Sequence, residues 1–148
     1  MAYVYLLASP DDYLLETRVR EALASASSEL GGVEPEILRE ETTPEELAVE
    51  LCSPSLFAPQ RVLFAPDIRS WLDIPARRGR GGRDKASKVE VDADPVVRVI
   101  NEGLSEGTAL VMAAVCGEKP KGPLAKAVEE VGTLRWIPSR RNRSRGRT

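Results

Sequence analysis

Two stretches of this chain, "YVYLLA" at 3–8 and "TALVMAAV" at 108–115, are almost unbroken apolar runs. A strand with one wet face alternates apolar and polar residues, so a continuous run needs apolar cover on both faces. Such strands sit inside a parallel sheet flanked by helices. The segments between the runs supply those helices. "SPDDYLLETRVREALASASSEL" (9–30) offers Ser9 as a cap, Pro10 at the first helical position, and Asp11 and Asp12 in the first turn. Leu14, Leu15, Val19, Ala22 and Leu23 then recur at helical spacing, and Gly31-Gly32 stops the helix.

The same alternation continues. "EPEILREE" (34–41) reads as a short, weaker strand. "TPEELAVELC" (43–52) is a helix in which Thr43 and Glu46 have capping-box spacing, Pro44 takes the first position, and Leu47 and Leu51 share a face. "RVLFA" (61–65) is a strand. "DPVVRVINEGL" (94–104) is a helix with Asp94 as cap and Pro95 first, "GPLAKAVEEV" (122–131) a helix, and "TLRWI" (133–137) the last strand. The expected fold is α/β: a five-stranded, mostly parallel sheet with helices on both faces and strand 3–8 lying centrally. From Trp71 to about Val91 the pattern fails, and "PARRGRGGRDKASK" reads as a flexible insertion spanning about 72–91. Residues 1–138 form the expected domain, and 139–148 are a basic tail with nothing to bury.

Composition removes several chemistries. The chain has no His, which excludes Ser-His-Asp and Cys-His catalysis and the commonest metal ligand. Cys52 and Cys116 form no Cys-x-x-Cys pair and read as reduced core thiols, too few for a structural zinc site. No apolar run approaches the ~20 residues of a membrane span, and no secretory leader is evident, so the expectation is a cytoplasmic protein without membrane contact. The net charge is −2, yet Arg77, Arg78, Arg80, Arg83, Lys85 and Lys88 crowd one stretch and Arg140, Arg141, Arg143, Arg145 and Arg147 another.

In nucleotide-binding α/β domains the loop after the first strand cradles phosphate with Gly-rich backbone and a Lys. Here that place reads Ser9-Pro10-Asp11-Asp12-Tyr13. Pro10 removes a backbone donor, and the two Asp occupy the positive end of the helix dipole where a phosphate would sit. The end of the third strand, Phe64-Ala65-Pro66-Asp67, lacks an Asp-Glu pair for magnesium, and "CGEKPKG" after the fourth is a turn. The expectation is a nucleotide-type architecture without its ligands, binding no cofactor or metal and catalysing no reaction.

Four stretches resemble a known family. They are "YLLASPDDYLLE", "EETTPEELAVELCSPSLFAPQRVLF", "LSEGTALVMAAV" and "KPKGPLAKAVEEVGTLRWIP". Together they are similar to the N-terminal domain of the delta subunit of the bacterial DNA polymerase III clamp loader, over most of 3–138 apart from the insertion. The Ser-Leu-Phe step is the most specific part. Departures are Ser9-Pro10, where the family has Gly-Glu, and the Arg/Gly insertion. The resemblance implies an AAA+ (P-loop NTPase-like) fold that binds no ATP. It also implies a role in DNA replication: binding the sliding clamp and helping to open it for loading on primed DNA, with no ATPase activity of its own within the polymerase holoenzyme. By residue match, Leu56 and Phe57 enter a hydrophobic pocket on the clamp, flanked by Ser55 and Pro54. Pro54 and Pro59 restrict the backbone around the pair, which lowers the entropy lost on docking. The family continues into a lid and a collar that meets the other loader subunits, and 139–148 would be the start of that lid.

A competing reading is a nucleic-acid-binding module that uses Arg77, Arg78, Arg80, Arg83 and the Arg-rich tail to contact phosphates. No aromatics are interleaved there, so base stacking is not indicated.

Overall fold

The computed structural model describes residues 3–39, 41–52, 60–72, 92–104 and 106–138. Along them run β1 (Tyr3–Ser9), α1 (Asp12–Glu29), β2 (Glu36–Ile37), α2 (Pro44–Cys52), β3 (Arg61–Ala65), a single 3-10 turn (Arg69–Trp71), α3 (Asp94–Glu102), β4 (Thr108–Val115), α4 (Pro123–Val131) and β5 (Thr133–Trp136). The strands form one five-stranded sheet in the order β2-β3-β4-β1-β5, and every pair is parallel.

That order decides which face each helix covers. α1 carries the chain from β1 across to β2, whereas α2, α3 and α4 each carry it in the opposite direction along the sheet. Right-handed crossovers running in opposite directions put their helices on opposite faces. Leu15 and Val19 of α1 accordingly pack with Leu7, Val111 and Ala113 on one face. Leu47 and Leu51 of α2, Val96 and Ile100 of α3, and Leu124 and Val128 of α4 pack with Leu6, Leu63, Leu110 and Met112 on the other. Successive residues of β1 and β4 therefore enter different cores, which is why both runs are apolar throughout.

β1 is internal, paired on both sides, but the middle of the sheet belongs to β4. β4 is the longest strand and is buried along all but Val115, with β1 and β3 paired along its sides. The pairing of β5 with β1 begins at Tyr5, opposite Thr133. The 34–41 strand shrinks to Glu36–Ile37, both exposed at the sheet edge, because its charged flanks have no face to bury.

Local signals hold with small shifts. Ser9 is the buried last residue of β1, and the cap of α1 is Asp11, two residues later than expected. Gly31 and Gly32 end α1 with φ of 83° and 81°, and the Gly32 N–H donates to the Ser27 carbonyl at 2.7 Å. The Thr43–Glu46 box forms as read: the Glu46 N–H donates to Thr43 Oγ1 and the Thr43 N–H to Glu46 Oε1, each at 3.1 Å. Asp94 is the first helical residue rather than the cap, and its N–H is taken by Asp92 Oδ1 at 3.0 Å. Trp71 and Leu72 are each 8% exposed and belong to the larger core. The insertion expected over 72–91 thus cannot begin before 73, since Leu72 is held by apolar packing, and 73–91 lie outside the described residues. Among the described residues no helix is long and apolar enough to cross a membrane.

Candidate functional site

In open parallel sheets, ligands bind beyond the carboxyl ends of the strands, where neighbouring strands send their helices to opposite faces. Here that point is between β1 and β4, since α1 leaves for one face and α4 for the other. The loops that meet there are Ser9-Pro10-Asp11 and 116–122. Ser9 and Asp11 bond within and between these loops, whereas Lys119 and Lys121 are exposed and pair with Glu129 and Glu118. Asp11 donates its N–H to Ser9 Oγ at 3.1 Å, and its Oδ1 accepts the Leu14 N–H at 3.2 Å. The Cys116 N–H donates to the Ser9 carbonyl at 3.0 Å, and the Ile137 N–H to the Ala8 carbonyl at 2.9 Å. Pro10 has no donor to offer. An anion at this helix start would have to displace a carboxylate already hydrogen-bonded to it and would meet Asp12 beside it.

The other groups near this edge are also engaged locally. Asp67 Oδ1 accepts the Arg69 N–H at 3.2 Å, a turn-closing role. Cys116 is buried, as read, and burial pushes its thiol above the ordinary range, which disfavours the thiolate. At the opposite edge, Cys52 is exposed at the end of α2, against the core role expected for it; the buried positions of that helix are Pro44, Leu47 and Leu51. Among the described residues no three His, Cys, Asp or Glu side chains are grouped to hold a metal ion.

The opposite, amino edge of the sheet carries the α2–β3 link. Pro54, Ser55, Leu56 and Phe57 lie in it, outside the described residues, but both of its ends are described. Immediately past the link, Arg61 joins three elements. Its Nε and Nη2 donate to the two carboxylate oxygens of Glu36 at 3.2 and 2.9 Å. Nη2 also donates to Glu50 Oε1 at 2.8 Å, and Nη1 to the Glu50 main-chain carbonyl at 3.4 Å. β2, α2 and β3 are thus tied through one guanidinium. The hydrogen bond from Arg61 holds the Glu36 carboxyl below the ordinary Glu value, and the same bond raises the pKa of Arg61. Sequence reading missed this group. Its members are 25 and 11 residues apart, and no local spacing connects them.

Arg77, Arg78, Arg80, Arg83 and the arginines of 139–148 also lie outside the described residues. Comparison with family models, curated proteins and solved structures finds no match to this chain.

Proposed function

We propose that this chain is a non-catalytic, AAA+-like domain that binds a DNA sliding clamp and helps open it for loading on primed DNA, as the delta subunit of a bacterial clamp loader does. Leu56 and Phe57 are the anchors, with Pro54 and Ser55 beside them. The observation that carries the reading is the state of the β1–β4 switch point: a parallel sheet of nucleotide-binding type has its phosphate position taken by its own Asp11 carboxylate. Such a domain keeps the architecture for another use, and binding a protein is one for which an adjacent Leu-Phe pair between prolines is suited. Burying each of those side chains yields about 1.5–3 kcal/mol. In this reading the other loader subunits are met through a domain beyond 139–148, DNA is engaged indirectly, no cofactor is required, and the protein works in the cytoplasm.

The test is titration of the chain against its cognate clamp. Leu56→Ala with Phe57→Ala is expected to weaken binding at least ~30-fold, the equivalent of about 2 kcal/mol, with little change in melting temperature. A large fall in melting temperature with clamp binding intact would make the pair core and remove the anchor. Binding to DNA that survives the double change, with none to the clamp, would move the assignment to the nucleic-acid module.

A further inference from the structure

We infer that the outer side of β5 is a docking site for an extended peptide segment that alternates acidic and apolar residues and adds to the sheet as a sixth strand. The inference stands apart from the clamp-binding reading above. β5 ends the sheet and has a neighbour, β1, on one side only. Its register with β1, and the hydrogen bond from the Ile137 N–H to the Ala8 carbonyl at 2.9 Å, turn the main-chain groups of Thr133, Arg135 and Ile137 toward β1. Those groups alternate in direction along a strand, so the N–H and C=O of Leu134 and Trp136 point away from the sheet. Among the described residues nothing hydrogen-bonds them. At the other end of the sheet β2 has only two residues, too few for such a row.

The side chains of β5 select the partner. Thr133 and Arg135 pair with Tyr5 and Leu7, so they share the α1 face, and both are exposed. Leu134 and Trp136 lie on the other face, half-buried against the larger core. Beside α1 runs an open groove of about 210 Å³, lined by Tyr5, Leu7 and Ala22 and by Arg18 and Arg135. Arg18 is paired with Glu21 at 3.3 Å, whereas Arg135 has no ion pair among the described residues. A carboxylate on an added strand, facing α1, meets this unmatched guanidinium, and opposite charges on paired strands attract. Apolar residues at the alternate positions extend the cover over Leu134 and Trp136. Main-chain bonds then supply the pairing and the alternate side chains its specificity. A second copy fits less well. Antiparallel pairing of two β5 strands would put both Arg135 side chains on one face of the pair, within cross-strand reach, and like charges there repel.

The probe is the peptide acetyl-Glu-Val-Glu-Val-Glu-Val-amide, titrated into the full chain with no clamp present; its counterpart with Lys in place of Glu is the control. The acidic peptide is expected to bind at least ~10-fold more tightly than the basic one. Arg135→Glu should reverse that order, with the melting temperature unchanged because the side chain is exposed. At saturating acidic peptide, amide hydrogen exchange at Leu134 and Trp136 should slow, while that at Arg135, which already faces β1, stays as it was. Methylating the amide nitrogens of the three valines, or those of the three glutamates, should abolish binding in one case and spare it in the other, because only alternate N–H groups of an added strand face β5. These last two measurements need no protein variant. Failure of the acidic peptide to bind overturns the proposal. So does an order of affinity that Arg135→Glu leaves in place, unchanged exchange at Leu134 and Trp136, or equal affinity for the two methylated forms. A wild-type dimer that already protects those two amides would make a second copy the occupant and would overturn it as well.

Discussion

The two edges of the sheet satisfy their polar groups in opposite ways. At the carboxyl edge, Asp11 is bonded to Ser9 and Leu14, partners two and three residues away. At the amino edge, Arg61 is bonded to Glu50 and Glu36, partners 11 and 25 residues away. The first arrangement closes within the first turn of α1 and sets the Asp11 carboxylate at the start of the helix. The second exists only once β2, α2 and β3 have come together, and it ties the last turn of α2 to the start of β3. A closed edge and a braced edge are thus built from the same kind of bond, and the reach of the bond decides which results.

The largest effect expected from breaking this contrast lies at the amino end of β5. Gly132 passes so close to β1 that an added Cβ would lie 2.2 Å from the Val4 carbonyl oxygen. The nearest atom is main-chain and cannot turn aside, and Val4 Cβ lies only 2.9 Å away. Gly132→Ala should cost about 3 kcal/mol in denaturant unfolding. A near-neutral result would mean that this edge yields easily, and the contrast with the carboxyl edge would weaken.

At the carboxyl edge a smaller loss is expected. Asp11→Ala removes the cap of α1 and should cost about 1 kcal/mol. Wild-type protein should show no rise in melting temperature with millimolar Mg-ATP. A ligand at 100 times its dissociation constant would add about 2.7 kcal/mol, so a shift of several degrees would show that Asp11 does not close the site.

The smallest effect sharpens the amino edge alone. The Glu36 carboxyl lies below its unfolded value of 4.5 because Arg61 donates to it. The native state therefore binds fewer protons than the unfolded chain between its lowered pKa and 4.5, and stability rises with pH across that window. The contribution is complete above 4.5 and is lost as pH falls through the lowered value. The difference in melting temperature between wild type and Glu36→Gln should shrink as pH drops from about 6 to about 3. A difference that stays constant over that range would detach the carboxylate from the brace.

Much of this was legible in the residues because it depends on neighbours. The Thr43–Glu46 box, the Gly31-Gly32 stop and the double-faced runs of β1 and β4 each rest on spacing of a few residues. Ser9 is itself a good capping residue, so spacing alone places the cap of α1 two residues early; β1 claims it, since its carbonyl accepts the Cys116 N–H. Leu72 falls in the insertion by sequence because the helix and strand periodicity fails after Trp71, yet its side chain belongs to the larger core. Cys52 departs from expectation for the converse reason: a cysteine is usually buried, but this one is exposed, off the buried face that Leu47 and Leu51 form.

By itself, the amino-acid order determined the five strands, the four helices between them, the parallel sheet they make and the unwelcoming turn after β1. Those follow from apolar periodicity and from hydrogen bonds that close within one helical turn. Only the tertiary structure decided that β4 lies in the middle, that one helix covers one face and three the other, and that Arg61 meets Glu36 and Glu50. Strand neighbours and long-range ion pairs depend on which segments the crossovers bring together, and no residue carries that information in its immediate surroundings.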